Sequence, residues 1–287
     1  MVQSNRSFLR SCFPRLLSLS QCRVESLTFA STVVVCAHNE ESYIEECLRS
    51  ILAQSIPPYL ILVVLDRCND RTEEITRTVL GRGTSLVLEK QDGSWQNSIP
   101  EDLELALSRA IGEALVVIDA DMTVPPDFLE KALPHLDDCA SVSALAVTDP
   151  SQGFLNRLVS VWEKTYRVAP LGEQPRGGCR AISLKALKEI GGFRDTVAWD
   201  TDLDLRLRKA GYRVRMDRHV VVLHRRKMTT RGSISYQISA GKYRRKLGVG
   251  VVRTALHAMF RLRPFVIYGY LKKDQQPAPG RRVRIVS

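Results

Sequence analysis

At 287 residues, 44% hydrophobic and 25% charged, the chain has the composition of a soluble globular protein, long enough for one α/β domain and an appendage. No apolar run approaches the ~20 residues of a membrane-spanning helix. Its seven cysteines form no C-x-x-C pair, which excludes a disulfide framework and a cysteine-built zinc site and points to a reducing, cytoplasmic compartment. The net charge of +11 is uneven: residues 225–287 carry sixteen Lys and Arg against Asp274 alone, leaving 1–224 at −4. An acidic body with a basic tail argues against a nucleic-acid-binding protein and for an anionic surface as the tail's partner.

Residues 1–30 are rich in Ser and Arg, with no acid before Glu25. They resemble a transit peptide in composition, but a disordered leader is the preferred reading. Thr32–Cys36 is a β-branched strand, followed by the polar turn Ala37-His38-Asn39-Glu40. A helix over 41–53 carries Ile44, Cys47, Leu48 and Ile51 at helical spacing. Leu60–Leu65 reads as a strand buried on both faces, and Asp66 ends it. Asp70 is placed to cap a helix over Thr72–Leu80. A strand at Leu86–Glu89, a helix at 101–111 and a strand at Ala114–Ile118 follow. Pro125-Pro126 opens a helix that reaches Leu133. The second half predicts strands at Ser141–Val147, Tyr212–Met216 and Val220–Leu223, with helices at Gly153–Tyr166, Leu184–Ile190 and 201–210.

Apolar strands alternating with helices make an α/β doubly wound sheet, and such sheets bind ligands beyond the carboxyl ends of their strands. Asp66 and Asp119-Ala120-Asp121 stand at such ends. Two carboxylates one residue apart suit a hard cation, Mg²⁺ or Mn²⁺, which prefers oxygen ligands and completes its shell with phosphate oxygens. Alone, such a pair is common by chance.

Together, VVVCAHNEE, ILVVLDRCNDRT, GEALVVIDADM and IGGF…AWDTDLDLRLRKAGYRV resemble, in order and spacing, the family-2 glycosyltransferases of the GT-A fold. The resemblance covers about residues 31–226. It implies a single GT-A domain with a mostly parallel central sheet, and metal-dependent transfer of one sugar from an NDP-sugar to an acceptor hydroxyl with inversion. By that resemblance Asp66 accepts from the donor's base, Ala37 and Glu40 lie near the nucleoside, and Asp119 and Asp121 bind the metal and diphosphate. Asp200 is the implied general base, and His224 a third metal ligand. Arg225 and Arg226 are candidates for holding the diphosphate. Gly177, Gly178, Trp199 and Asp202 face the acceptor.

The rival for Asp200 and Asp202 is a role at the start of the helix 201–210. Trp199 stands where the family usually has an acid, and an aromatic face there would stack on a sugar ring. The stretch Gln91-Asp92-Gly93-Ser94-Trp95 lacks a lysine common in the family. The Q-x-x-R-W motif of processive synthases is absent after Arg226, which favours single-sugar transfer.

The tail, 227–287, predicts basic helical structure. Over 242–273 it mixes apolar and basic residues, with Pro264 limiting the helix. Such a segment suits the inner face of an anionic membrane, where each basic residue contributes ~1 kcal/mol, and a sugar or lipid-linked acceptor. A helix packed on the domain or a dimer contact is the alternative. Other function classes are a nucleotidyltransferase acting on a sugar phosphate, against which the absence of a Gly-rich loop after the first strand argues, and a nucleic-acid-binding protein.

Overall fold

The computed structural model describes residues 30–81, 83–164, 177–196, 198–246, 248–260 and 263–272; the leader and Arg176 lie outside them. Strands β1 (Ser31–Ala37), β2 (Leu60–Asp66) and β4 (Ala114–Ile118) are buried almost end to end. Their uninterrupted apolar composition follows from being covered on both faces. With β3 (Ser85–Lys90) they pair in parallel, in the order β3-β2-β1-β4. Helices α1 (Ile44–Leu52), α2 (Thr72–Leu80) and α3 (Ser98–Leu107) make the crossovers.

Alternate strand residues feed two cores. Val33, Val35 and Val63 pack with α1, α2 and α4 (Phe128–Ala132). Val34, Leu62, Val64 and Leu115 pack with α3, α6 (Leu184–Glu189) and α7 (Trp199–Lys209). Each fully buried Val, Leu or Ile side chain contributes about 1.5–3 kcal/mol. A one-residue slip in any of these strands would exchange the two cores.

The remaining strands extend the sheet to eight, in the order β3-β2-β1-β4-β7-β6-β8-β5. Strand β7 (Cys179–Ser183) runs antiparallel to both β4 and β6 (Ser141–Thr148); β8 (Val214–His224) is parallel to β6. The two-residue β5 (Met122–Thr123) pairs antiparallel with β8. Helix α5 (Phe154–Lys164) follows β6. The α/β sheet expected from the alternation of elements is the one observed.

Three local expectations are corrected. The helix expected over 101–111 spans Ser98–Leu107, because Pro100 falls in its first turn, where a missing N–H is tolerated. The helix expected to reach Leu133 ends at Ala132 and continues as a 3₁₀ turn over Leu133–Asp137. The two strands expected at 212–216 and 220–223 are one strand. Its ladder slips between Ala144, opposite Asp217, and Leu145, opposite Val221. The polar run Asp217-Arg218-His219, which reads as a break, is a bulge closed by the His219 N–H on Asp217 Oδ1 at 2.8 Å.

The tail forms α8 (Thr230–Lys246), α9 (Val251–Phe260) and α10 (Phe265–Leu271). Pro264 separates the last two, as expected. Helices α8 and α10 cross backbone to backbone at two glycines: a Cβ on Gly241 would lie 2.0 Å from the Val266 carbonyl oxygen, and one on Gly269 2.0 Å from that of Ile238. Among the described residues, no helix is long and apolar enough to cross a membrane.

Candidate active site

Beyond β4 the chain turns sharply, the Met122 N–H donating to the Asp119 carbonyl at 2.9 Å. It then enters β5, where Met122 lies opposite His224 at the end of β8. This pairing brings two distant segments together: His224 Nε2 stands 3.2 Å from Asp121 Oδ2. The Arg225 N–H donates to the Asp121 carbonyl at 2.7 Å and fixes the same register. Burial and the negative charge of Asp121 push the half-buried Asp119 carboxyl up to about 7, with Asp200 and Glu40 adding to the push. Asp121 moves the other way. Its burial is outweighed by His224 and Arg226, which hold it below the usual carboxylate range. His224 is itself raised, since Asp121 and Asp119 outweigh its desolvation.

The glycine loop ties this acid pair to Asp200. The Asp119 N–H donates to the Gly178 carbonyl at 2.7 Å, and the Gly177 N–H donates to Asp200 Oδ2 at 2.9 Å. The second oxygen of Asp200 accepts from the Thr201 N–H at 2.8 Å, within the first turn of α7. Gly178 has φ +97°, and a Cβ there would sit 2.6 Å from Asp119 Oδ2 and 2.6 Å from Met122 Cε. Only glycine fits both the conformation and the space.

At the other end of the strand edge Asp66 is buried. Its carboxylate is gripped by Arg67, Nε to Oδ1 at 2.9 Å and Nη2 to Oδ2 at 2.8 Å, with Lys90 Nζ at 3.3 Å. Against the cost of burial, these cations hold Asp66 below its ordinary value. His38 Nδ1 lies 2.6 Å from the Asp66 carbonyl oxygen; Asp70 Oδ1 accepts from the Thr72 N–H at 2.9 Å, although the cap position of α2 itself is Arg71. Asp66 ends β2 and Asp119 follows β4, and β1 pairs in parallel with both strands, so the two acids leave the sheet at the same carboxyl edge, on either side of β1.

Other expected residues lie elsewhere or are engaged. Trp199 is the clear correction. It is 7% exposed, its ring edge-on to Phe193 at 5.8 Å and under the Arg180 guanidinium at 5.7 Å. It is therefore a core residue and offers no face to a sugar. Asp202 lies in the first turn of α7, the alternative place weighed for it, and is also paired with Arg206 at 2.7 Å, one turn along. The Ala37 side chain is buried in the core, leaving only its backbone at the strand end. Arg225 bridges Glu46 (2.6 Å) and Asp149 (2.9 Å). Arg226 donates from Nε to Asp121 Oδ2 at 2.6 Å, pairs with Glu40, and lies 5.5 Å over the Tyr43 ring.

Among the described residues, no three His, Cys, Asp or Glu side chains are grouped so as to hold a metal ion. Asp119, Asp121 and His224 nevertheless offer the donor set of a hard or borderline divalent ion. Two observations fit such an ion: the crowded carboxyls raise Asp119, and Gly178 leaves open the space beside Asp119 Oδ2 that a Cβ would fill.

Residues 32–183 match the sequence profile of the family described as Glycosyl transferase family 2. The chain belongs to glycosyl transferase family 2. An uncharacterized glycosyltransferase of Haemophilus influenzae is 30% identical over 118 residues, 40% of this chain and 35% of that protein. The succinoglycan biosynthesis protein ExoA of Rhizobium meliloti is 26% identical over 67% of this chain and 62% of its own length. The beta-monoglucosyldiacylglycerol synthase of Synechocystis sp. is 24% identical over 61% of this chain and 39% of its own. This family 2 chain thus spans less than two thirds of the length of each of these relatives. In fold it is similar to the mannosyltransferase PcManGT from Pyrobaculum calidifontis, solved with GDP-Man and Mn²⁺, at TM-score 0.60 and 24% identity over 85% of this chain and 70% of that one. It is also similar to S. aureus TarS solved with UDP-GlcNAc, at TM-score 0.54 and 17% identity over 69% and 59% of the two chains.

Two buried ion clusters of this family 2 chain escape sequence reasoning. Lys90, at the end of β3, contacts Glu101 at 3.0 Å and also Asp102, besides Asp66. It stands immediately before the stretch Gln91–Trp95 in which a family lysine was found missing. Arg180, entirely buried on β7, pairs with Asp204 at 3.0 Å. A basic residue inside an otherwise apolar five-residue strand is the one signal available for it.

Proposed function

We propose that this chain transfers a single sugar from a nucleoside diphosphate sugar to an acceptor hydroxyl, with inversion and with a divalent metal ion. The observation that carries the reading is the continuous backbone link from Asp119 through Gly178 and Gly177 to Asp200. This link supports a reading in which Asp119 and Asp121 serve the diphosphate and Asp200 the acceptor, on two sides of one glycine loop.

In this reading Asp119, Asp121 and His224 hold Mn²⁺ or Mg²⁺, which when bound offsets the negative charge growing on the departing diphosphate. Asp200 accepts the proton of the acceptor hydroxyl as that oxygen attacks the anomeric carbon. The N–H groups of Gly177 and Thr201 aim its two oxygens. Attack opposite the leaving group inverts the carbon without a protein nucleophile. Asp66 takes an N–H of the base, with Arg67 and Lys90 as its supports, and Glu40 borders the nucleoside. Arg226 shields Asp121 and Glu40 until the donor enters, and then pairs with the diphosphate. Arg225 braces this loop through Glu46 and Asp149. The acceptor is a sugar or a lipid-linked alcohol, met at the cytoplasmic face of an anionic membrane.

A thermal-shift panel of GDP-mannose, UDP-GlcNAc and other sugar nucleotides, each with and without Mn²⁺, tests this. At least one donor stabilises the chain only with metal, and Asp121→Ala abolishes that shift. Asp200→Asn keeps the shift and loses transfer. A panel in which no donor gives a metal-dependent shift refutes the reading.

A further inference from the structure

Helices α9 and α10 are built inside out. The positions of α9 that face the protein are Thr254 and Ala258, and those of α10 are Val266 and Gly269. The large apolar side chains stand outward: Val252 (70% exposed), Leu256 and Met259 (59%) on α9, and Phe265, Tyr268 and Leu271 (63%) on α10. They recur at intervals of three and four residues, so each helix presents one apolar stripe. An ordinary surface helix buries its large apolar residues and exposes small or polar ones. The reverse order marks a face that something else covers.

Charge selects what covers it. Between residues 225 and 272 the sequence has twelve Lys and Arg and no acid. Arg253 and Lys246 are exposed beside the apolar stripes, Arg263 lies 5.8 Å over the Tyr236 ring, and Lys272 lies 5.8 Å over that of Tyr268. A second copy of the chain would bring the same positive charge against this face. An anionic lipid surface supplies negative headgroups for the basic rim and an apolar layer for Phe265, Tyr268 and Leu271. Tyrosine suits that boundary, its ring in the dry layer and its hydroxyl in the wet one, and phenylalanine suits the apolar layer beneath.

The same helices are locked to the catalytic body. Tyr243 of α8 places its hydroxyl 3.0 Å from Thr196 Oγ1 and accepts from the Ala198 N–H at 3.2 Å. Ala198 directly precedes α7, whose second residue is Asp200. Arg245 of α8 donates to the carbonyls of Tyr270 (3.2 Å) and Lys272 (2.7 Å) at the end of α10. A hydrogen-bonded path therefore runs from the end of α10, through α8, to the start of the helix bearing the proposed base.

We infer that the outward face of α9 and α10 docks on an anionic lipid bilayer, and that Tyr243 transmits this docking to the N-terminus of α7, so that a membrane-borne acceptor hydroxyl meets Asp200. The docking stands on the tail alone; the second half rests on the role proposed for Asp200.

Flotation of the full chain with vesicles tests the docking without any donor. The chain floats with phosphatidylcholine–phosphatidylglycerol vesicles and stays behind with phosphatidylcholine alone. Met259→Ser with Phe265→Ser and Leu271→Ser, all on the outward face, lowers recovery by about tenfold or more while leaving the melting temperature unchanged. Recovery unaffected by these changes, or equal on neutral vesicles, overturns the proposal. So does a doubled mass in light scattering that the triple variant returns to a monomer, or retention by an acidic protein with none by lipid. Hydrogen exchange reads the coupling: anionic vesicles slow exchange in 198–204 of the wild type but not of Tyr243→Phe, which still floats. Equal slowing in both overturns the role of Tyr243. Loss of flotation leaves the metal-dependent donor shift intact, and loss of that shift leaves flotation intact, so the two readings fail separately.

Discussion

The buried pair Arg180–Asp204 gives a prediction whose size can be worked from the structure. Arg180 is 0% exposed, contacts Asp204 with Nη2 at 3.0 Å, and leaves Nε and Nη1 without a hydrogen-bond partner. Its strand neighbours are Val117 on β4 and Ser143 on β6, so no water reaches it from the sheet side. Arg180→Met keeps an apolar stem of similar length and strands Asp204 as a buried acid, a loss of about 3–5 kcal/mol. For a domain of this size that lowers Tm by roughly 10 °C. Asp204→Leu strands the guanidinium instead and costs a similar amount. The double variant replaces both charges with packing and returns to within about 1–2 kcal/mol of wild type. pH separates this from simple cavity formation. Burial already raises Asp204 to about 6 despite Arg180, and removing the arginine raises it further. A raised acid destabilises the fold as pH rises above its unfolded value. The penalty of Arg180→Met therefore grows above about pH 6, by up to ~1.4 kcal/mol per pH unit. Urea unfolding followed by tryptophan fluorescence at pH 6 and pH 8 measures all four species. Additive single costs with no pH dependence would show that the pair is not the unit described.

Three further outcomes follow from the site. Gly178→Ala places a methyl 2.6 Å from Asp119 Oδ2 at φ +97°, costing about 1–3 kcal/mol of backbone strain and displacing Asp119; calorimetry should find a folded protein that has lost its Mn²⁺-dependent donor shift. Arg226→Gln uncovers Asp121 and Glu40, so Mn²⁺ alone binds severalfold, about 3–10 times, tighter in titration calorimetry, while donor binding with Mn²⁺ weakens. Glu101 is held at about 2: against the cost of burial, the N–H groups of Ser94 and Trp95 and the Lys90 ammonium favour its charge. Its stabilisation is thus complete above about pH 4.5 and lost as pH falls toward 2, so an acid-unfolding curve of Glu101→Gln lacks that limb of the wild-type profile.

The parallel half of the fold was legible because its physics is local. A strand covered on both faces must be apolar throughout, and Val33–Val35, Leu62–Val64 and Leu115–Val117 are. The polar residue that ends each strand then marks the ligand edge, which is how Asp66 and Asp119 stood out before any geometry. Strand β7 was missed because Arg180 interrupts its apolar pattern, and β5 because two residues carry no period. Strand β8 was split in two by Asp217-Arg218-His219, since a bulge and a turn draw on the same polar residues.

The site was legible only as far as residue type and position determine partners. Trp199 shows the limit. Its place beside Asp200 suggested a sugar platform, yet a tryptophan at the first position of α7 faces the core that Phe193 and Arg180 already line, and burying its large ring outweighs any exposed use. The cations show it from the other side. The sequence offered Arg225 and Arg226 as candidates for holding a diphosphate and gave no reading of Arg67 or Lys90. In the fold all four are already matched to carboxylates, at Asp66, Asp102, Asp149 and Asp121. Asp66 and Asp121 are therefore neutralised before any metal or diphosphate arrives, whereas Asp119 is crowded by other carboxyls. In the proposed reading, a donor that draws Arg226 from Asp121 exchanges one ion pair for another, and its affinity is set by the difference between the two. Such a difference is smaller than either pairing alone, which suits the nucleotide release that the proposed transfer requires.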